Sequence, residues 1–155
     1  MHTTTLIRGR DEGDATWFIN ALMTSKASMA ETAGAYSLTE HVVTAASNPP
    51  MHIQVDEDEA FYLLEGEVEF EVDGEVVLAT PGTFAFVARG AAHTFRVLTP
   101  QARMLVICSG KPAHNLEEFF TTMGAPAPTR SLPEPAAPDF ERLAVLADDA
   151  GIELL

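Results

Sequence analysis

The chain has 155 residues, 46% of them apolar, and a formal net charge of −14; that is enough length and apolar side chain for one domain with its own core. Such acidity, with no local run of Lys or Arg to offset it, repels phosphate backbones and anionic bilayers, so neither nucleic acid nor a membrane surface is an expected partner. The single cysteine excludes an internal disulfide, and Cys108, inside the apolar run 104–108, reads as a small core residue rather than a nucleophile.

No basic segment followed by an apolar stretch opens the sequence, and no window approaches the roughly 20 apolar residues that span a bilayer. A cytoplasmic location is the expectation. Ten glycines and ten prolines announce many turns. The first sixteen residues are polar and read as an arm or edge segment. Residues 17–26 and 35–44 each read as a strand, and Asn48-Pro49-Pro50 breaks the chain.

The middle is a ladder of short strands separated by turn signals. Residues 61–64 form one, ended by Glu65-Gly66. Val68, Phe70 and Val72 then alternate with Glu67, Glu69, Glu71 and Asp73, the period of two that marks a strand apolar on one face and acidic on the other. Asp73-Gly74 is a hairpin turn, because the pair tolerates positive φ, and residues 75–78 return as its partner. Pro81-Gly82 and Arg89-Gly90 turn the chain again around residues 84–87. Residues 93–98 and 103–108 complete a set that suggests a closed barrel or jelly roll.

Asn115, with Glu118 three residues on, starts a helix that carries Leu116, Phe119, Phe120 and Met123 on one side and ends at Gly124. Residues 125–138 are rich in proline and read as an extended strap over the barrel. A second helix starts near Asp139, carries Phe140, Leu143 and Leu146 on one face, and stops at Gly151. The helices are expected to cover the barrel or build a contact between copies.

The stretch 50–66 carries the chemistry. His52 and Gln54 lie two apart and share a face of an extended segment. Glu59 shares its face with Phe61 and Leu63 and so looks inward, while Asp56, Glu57 and Asp58 are expected in a turn, looking out. An ionised carboxylate facing an apolar interior needs a cation or several donors, and a metal ion supported by imidazoles would satisfy it. His93, after Gly90-Ala91-Ala92, opens a later strand whose inner face also carries Phe95 and Val97. His41, beside Glu40, is assigned a structural or exposed position ahead of a place in the cavity. His2 and His114 are read as peripheral and Arg89 as solvated. Of the aromatic and methionine side chains (Trp17, Phe18, Met23, Met51, Phe61, Phe84, Phe86, Phe95, Met104), most are expected in the core and some on the wall of a cavity, with Met51 at its mouth.

His52, Glu59 and Gly66 resemble the first motif of the cupins, in which two histidines separated by one residue precede a glutamate and then a glycine. Gly90 and His93 resemble the second, with Ala88 at its proline position and Val97 where an asparagine is common. The resemblance covers residues 34–110 and is similar to single-domain bacterial cupins of the flavonol (quercetin) dioxygenase type. It implies an all-β cupin double-stranded β-helix, a jelly-roll barrel with short C-terminal helices. The organisation is then residues 1–33 as arm and edge strand, 34–110 as barrel, and 111–155 as helices and strap.

In the family this chain resembles, three histidines and the glutamate hold one divalent transition metal (Fe, Ni, Mn, Co, Cu or Zn), and the glutamate takes a proton from the substrate. Carried across, the ligands are His52, Glu59 and His93, with Glu59 as base; Gln54 stands at the place of the remaining histidine. Glutamine offers a neutral oxygen, a poorer ligand than imidazole for a borderline metal. Either Gln54 is a weak fourth ligand or orienting partner in a site that still binds metal, or no metal binds and Glu59 is a desolvated carboxylate suited to proton transfer. Three functions stay open: an oxygenase acting on a phenolic or enolisable small molecule, a non-oxidative isomerase or cyclase, and a binding module. A homodimer is expected from the same resemblance.

Overall fold

The computed structural model describes residues 5–111 and 115–155; His2 and His114 fall outside the described residues. Strands β1 (Ala15–Phe18) and β2 (Ala21–Ala27) form a hairpin. The sequence reads residues 17–26 as one strand, but Ile19 and Asn20 both adopt positive φ and turn the chain. Next come β3 (Ser37–Val43), β4 (His52–Gln54), β5 (Glu57–Glu65), β6 (Val68–Val72) and β7 (Glu75–Ala79). They are followed by β8 (Phe84–Val87), β9 (Ala92–Val97) and β10 (Ala102–Gly110). Helix α1 (Leu116–Met123), the short strand β11 (Ala125–Pro126), helix α2 (Phe140–Asp149) and strand β12 (Ile152–Leu154) complete the chain.

The strands form two antiparallel sheets, a seven-stranded one in the order β11-β1-β2-β3-β10-β5-β8 and a five-stranded one in the order β12-β4-β9-β6-β7. β1 and β2 are thus inside the first sheet; β11 and β8 hold its edges, so the edge strand expected within residues 1–33 is an interior one. Leu63, Met104, Val43, Val68, Val87 and Val106 are fully buried between the sheets, each worth about 1.5–3 kcal/mol of apolar transfer. Cys108 is buried among them. No helix among the described residues is long and apolar enough to cross a membrane.

Asp73 and Gly74 both take positive φ in the β6–β7 hairpin, as the sequence predicts. Gly66 also has positive φ, and a Cβ there would sit 2.6 Å from the carbonyl oxygen of Gln101. The side chain of Asn115 accepts a hydrogen bond from the Glu118 N–H and starts α1, and the Gly124 N–H donates to Phe120 O at its end. The strap is held at its middle and near its far end: Trp17 Nε1 donates to Ser131 O, and Asn20 bonds the backbone of Ala136.

Several apolar side chains face the other way from the sequence reading. Phe84 and Phe86 are exposed, while Ala85 and Val87 pack inward. Their register neighbours are Tyr62 and Ala60, then Leu105 and Ile107 of β10, so the outer face of this sheet carries an apolar strip. Phe140 is exposed too, and α2 buries Leu143 and Ala147 instead.

Replacing Gly66 by Ala is expected to cost more than about 1 kcal/mol of unfolding free energy, read as a lower denaturation midpoint with an unchanged slope. Near the N-terminus, Arg8 makes two hydrogen bonds to Glu31, which also accepts from Ser28. These bonds hold the Glu31 carboxyl at about 2, below its ordinary 4.5. A depressed carboxylate stabilises the fold above its unfolded value and loses that contribution as pH falls through its folded value. The stability difference between the native chain and Glu31→Gln is therefore expected to be constant above pH 4.5 and to shrink between pH 4.5 and about 2, measured by denaturant titration at each pH.

Candidate metal centre and its cavity

His52 and His93 stand directly opposite one another in the β4–β9 ladder, with ring centroids 4.2 Å apart. Glu59 comes from β5 in the other sheet, so the cluster bridges the two halves of the jelly roll. The ligand atoms of His52, Glu59 and His93 all lie within 4.8 Å of one another, and Glu59 and His93 are buried. Two further contacts tie the pieces together. The Gly90 N–H donates to the Gln54 carbonyl, and Arg89 pairs with Asp58 through its guanidinium and its backbone N–H. Arg89, expected to be merely solvated, therefore clips the turn before His93 to the strand that carries Glu59. The paired guanidinium draws the Asp58 carboxyl down to about 2.

The imidazole tautomers follow from their partners. Nδ1 of His52 lies 2.9 Å from Pro50 O, and Nδ1 of His93 lies 3.0 Å from Ala91 O. A carbonyl oxygen only accepts, so each Nδ1 carries the proton and each neutral ring presents an Nε2 lone pair to the site. Backbone anchoring of the distal nitrogen is how metal-ligating histidines are held in place. Nε2 of His93 faces Glu59 Oε2 at 3.1 Å. Two lone pairs at that distance need a proton or a cation between them, and this donor set of two imidazoles and one carboxylate fits a divalent transition metal. Burial pushes the His52 imidazolium down, helped by the charge of His93. Burial works the same way on His93, but the hydrogen bond and charge of Glu59 outweigh it and raise His93.

Gln54 does not aim its oxygen at this cluster through any contact in the structure. Its Nε2 donates to Glu59 Oε2 at 2.6 Å, and its Oε1 is buried without a partner among the described residues. Of the roles left open by the sequence, this is the geometry of an orienting partner. Glu57 departs from expectation: it does not sit in an outward turn but opens β5 on the same inner face as Glu59. It is buried and accepts from the Leu116 N–H at the start of α1. Burial lifts its carboxyl to about 7 against the pull of that N–H. The acidic run 56–59 hid a strand start that parity with Glu59, Phe61 and Leu63 would have shown.

The cluster forms part of the wall of a cavity of about 410 Å³. Phe18, Met23, Phe61 and Phe95 line it, as the sequence allows, whereas Met51 does not reach it and Met104 is core. His41 also lines the cavity and is 4% exposed, against its assignment to a structural or surface position. Phe119 and Leu143 bring both helices onto the wall, and Ile152 and Leu154 do the same from β12. That last strand gave no sequence signal beyond a three-residue alternation after Gly151. Its register places Leu154 beside His52 and Ile152 beside Gln54.

A cupin domain family model matches residues 39–109. The quercetin 2,3-dioxygenase of Bacillus subtilis (strain 168) is 33% identical over 87 residues, which is 55% of this chain and 25% of that protein. The chain thus spans about a quarter of the length of this relative. Among solved structures, ectoine synthase from P. lautus superposes with a TM-score of 0.60 at 21% identity, covering 86% of this chain and 96% of that one. A predicted oxalate decarboxylase from Thermotoga maritima gives 0.60 at 18% identity, covering 69% and 100%. KdgF from Halomonas sp. gives 0.59 at 16%, covering 70% and 96%. With both motif regions inside the matched segment and the two-sheet barrel around them, residues 39–109 match the cupin domain and the chain has the cupin barrel fold.

Proposed function

We propose that this cupin is a metal-dependent oxygenase acting on a phenolic or enolisable small molecule. The observation that carries the reading is the His52–Glu59–His93 cluster, with its Nε2 lone pairs turned to one point on the wall of a mostly apolar cavity. The partial likeness to a quercetin dioxygenase supports the oxidative branch. A divalent metal held by these three residues would supply Lewis acidity and, if redox-active, one-electron chemistry with dioxygen.

The chain's own residues do the rest. Glu59 accepts the proton of the substrate hydroxyl, and the Gln54 amide, bonded to Glu59 Oε2, fixes which way that carboxylate faces. The aromatic wall excludes water and strengthens the electrostatic interactions inside the site. Pairing of two copies, expected from the family resemblance, belongs to this proposal, and the outer apolar strip of Phe84, Phe86, Tyr62 and Ile107 supports it. A cytoplasmic location belongs to it as well.

Gln54 favours one competing reading, a non-oxidative isomerase or cyclase in which Glu59 moves protons without metal. Elemental analysis of the purified protein, followed by oxygen uptake with quercetin as probe, separates the two. Stoichiometric metal with oxygen uptake supports the oxygenase; the absence of both with any flavonol removes it. Turnover that survives strong chelator but is lost in Glu59→Gln assigns the second reading. On either reading Glu59→Gln is expected to lower kcat by at least about 100-fold. Gln54→His is expected to raise metal affinity about 10–100-fold, measured by competition with a chromophoric chelator. An unchanged affinity would mean that the remaining three ligands already saturate the site.

A further inference from the structure

We infer that His41 is a second polar anchor of the cavity, binding a hydroxyl or carbonyl group at the end of an uncharged, largely aromatic substrate remote from the His52–Glu59–His93 cluster. The inference rests on the reading of this cavity as the substrate site and adds which class of molecule it takes.

Register gives the separation. Met104 of β10 pairs with His41 on one side and Leu63 on the other, while Cys108 pairs with Ser37 and Glu59. His41 is therefore two strands across and four residues along from Glu59, roughly 10 Å and roughly 13 Å at ordinary sheet spacings. Both side chains line the same cavity. A molecule touching both is longer than a single ring, in keeping with a volume of about 410 Å³.

The imidazole is out of place unless something bonds to it. Its Nε2 is buried with no hydrogen-bond partner among the described residues, and the ring meets Phe120 edge-on at 5.3 Å. Packing against phenylalanine would be served better by Leu or Phe, without a stranded polar atom. Away from the cluster and its neighbour Gln54, the Ser47 hydroxyl on the wall donates to Asn20 O, and Asn48 Oδ1 accepts from the Val97 N–H. No Lys or Arg is among the described residues that line the cavity, so none of them neutralises a phosphate or carboxylate at this end. Burial holds the ring neutral, down to about 3, leaving one donor and one acceptor nitrogen, the complement of a hydroxyl rather than of a charged group.

The test uses 2-naphthol and naphthalene as probes, bound to the purified full chain and followed by calorimetry. His41→Leu is expected to cut the affinity ratio in favour of 2-naphthol by about tenfold, with His41→Gln retaining part of it. The melting temperature of His41→Leu should equal or exceed that of the native chain, because a stranded imidazole is removed. A ratio unmoved by either substitution, binding of neither probe, or equal loss of both probes together with a lowered melting temperature would overturn the assignment. If the ratio shifts as expected while quercetin supports no oxygen uptake, the oxygenase reading fails and the role of His41 stands.

Discussion

The architecture turns on the burial of one carboxylate. Glu59 occupies an inward position of β5, between Glu57 and Phe61 on the same face, where an unpaired charge would be costly. The structure answers with an amide donor from Gln54 and an imidazole from His93, both supplied by the opposite sheet. That pairing links the two sheets through polar contacts as well as through the apolar core. It explains why the surrounding turns, at Gly90 and at Arg89, are tied back to the same two strands.

Around this centre the barrel reverses the usual distribution of side chains. In β3 the inward positions are Ser37, Thr39, His41 and Val43, and the half-buried outer ones are Leu38, Glu40 and Val42. In β8 two phenylalanines face out and smaller residues face in. A solid core would favour the opposite choice. Interior small and polar groups leave room for a ligand, and the outer apolar strip is what remains of a pattern that elsewhere in the chain points inward.

The same reversal sets how far the sequence could be read. Strands bounded by Asp73-Gly74, Pro81-Gly82 and Arg89-Gly90 were legible because turn chemistry is local. The inward aim of Glu59 was legible because Phe61 and Leu63 share its face. His52 and His93 were picked out by their resemblance to a family pattern, and their convergence needed the β4–β9 register. His41 was misplaced because the inner face of its strand also carries Ser37 and Thr39, so that only Val43 gives an apolar signal. Glu57 was misplaced because three adjacent acids look like a turn, and the cost of burying one is offset by a helix N–H more than fifty residues later. The hairpin at Ile19-Asn20 was invisible because isoleucine rarely adopts positive φ.

Strand β12 lies on β4, so the segment bearing His52 and Gln54 is flanked by β9 on one side and by residues near position 153 on the other. Neither neighbour is local in the chain. The imidazole pair forms only where β9 pairs with β4, and β12 covers the other side of β4, so the site depends on long-range pairing. Loosening β12 would thus act directly on the strand that carries His52 and Gln54, because Leu154 and Ile152 are their register partners.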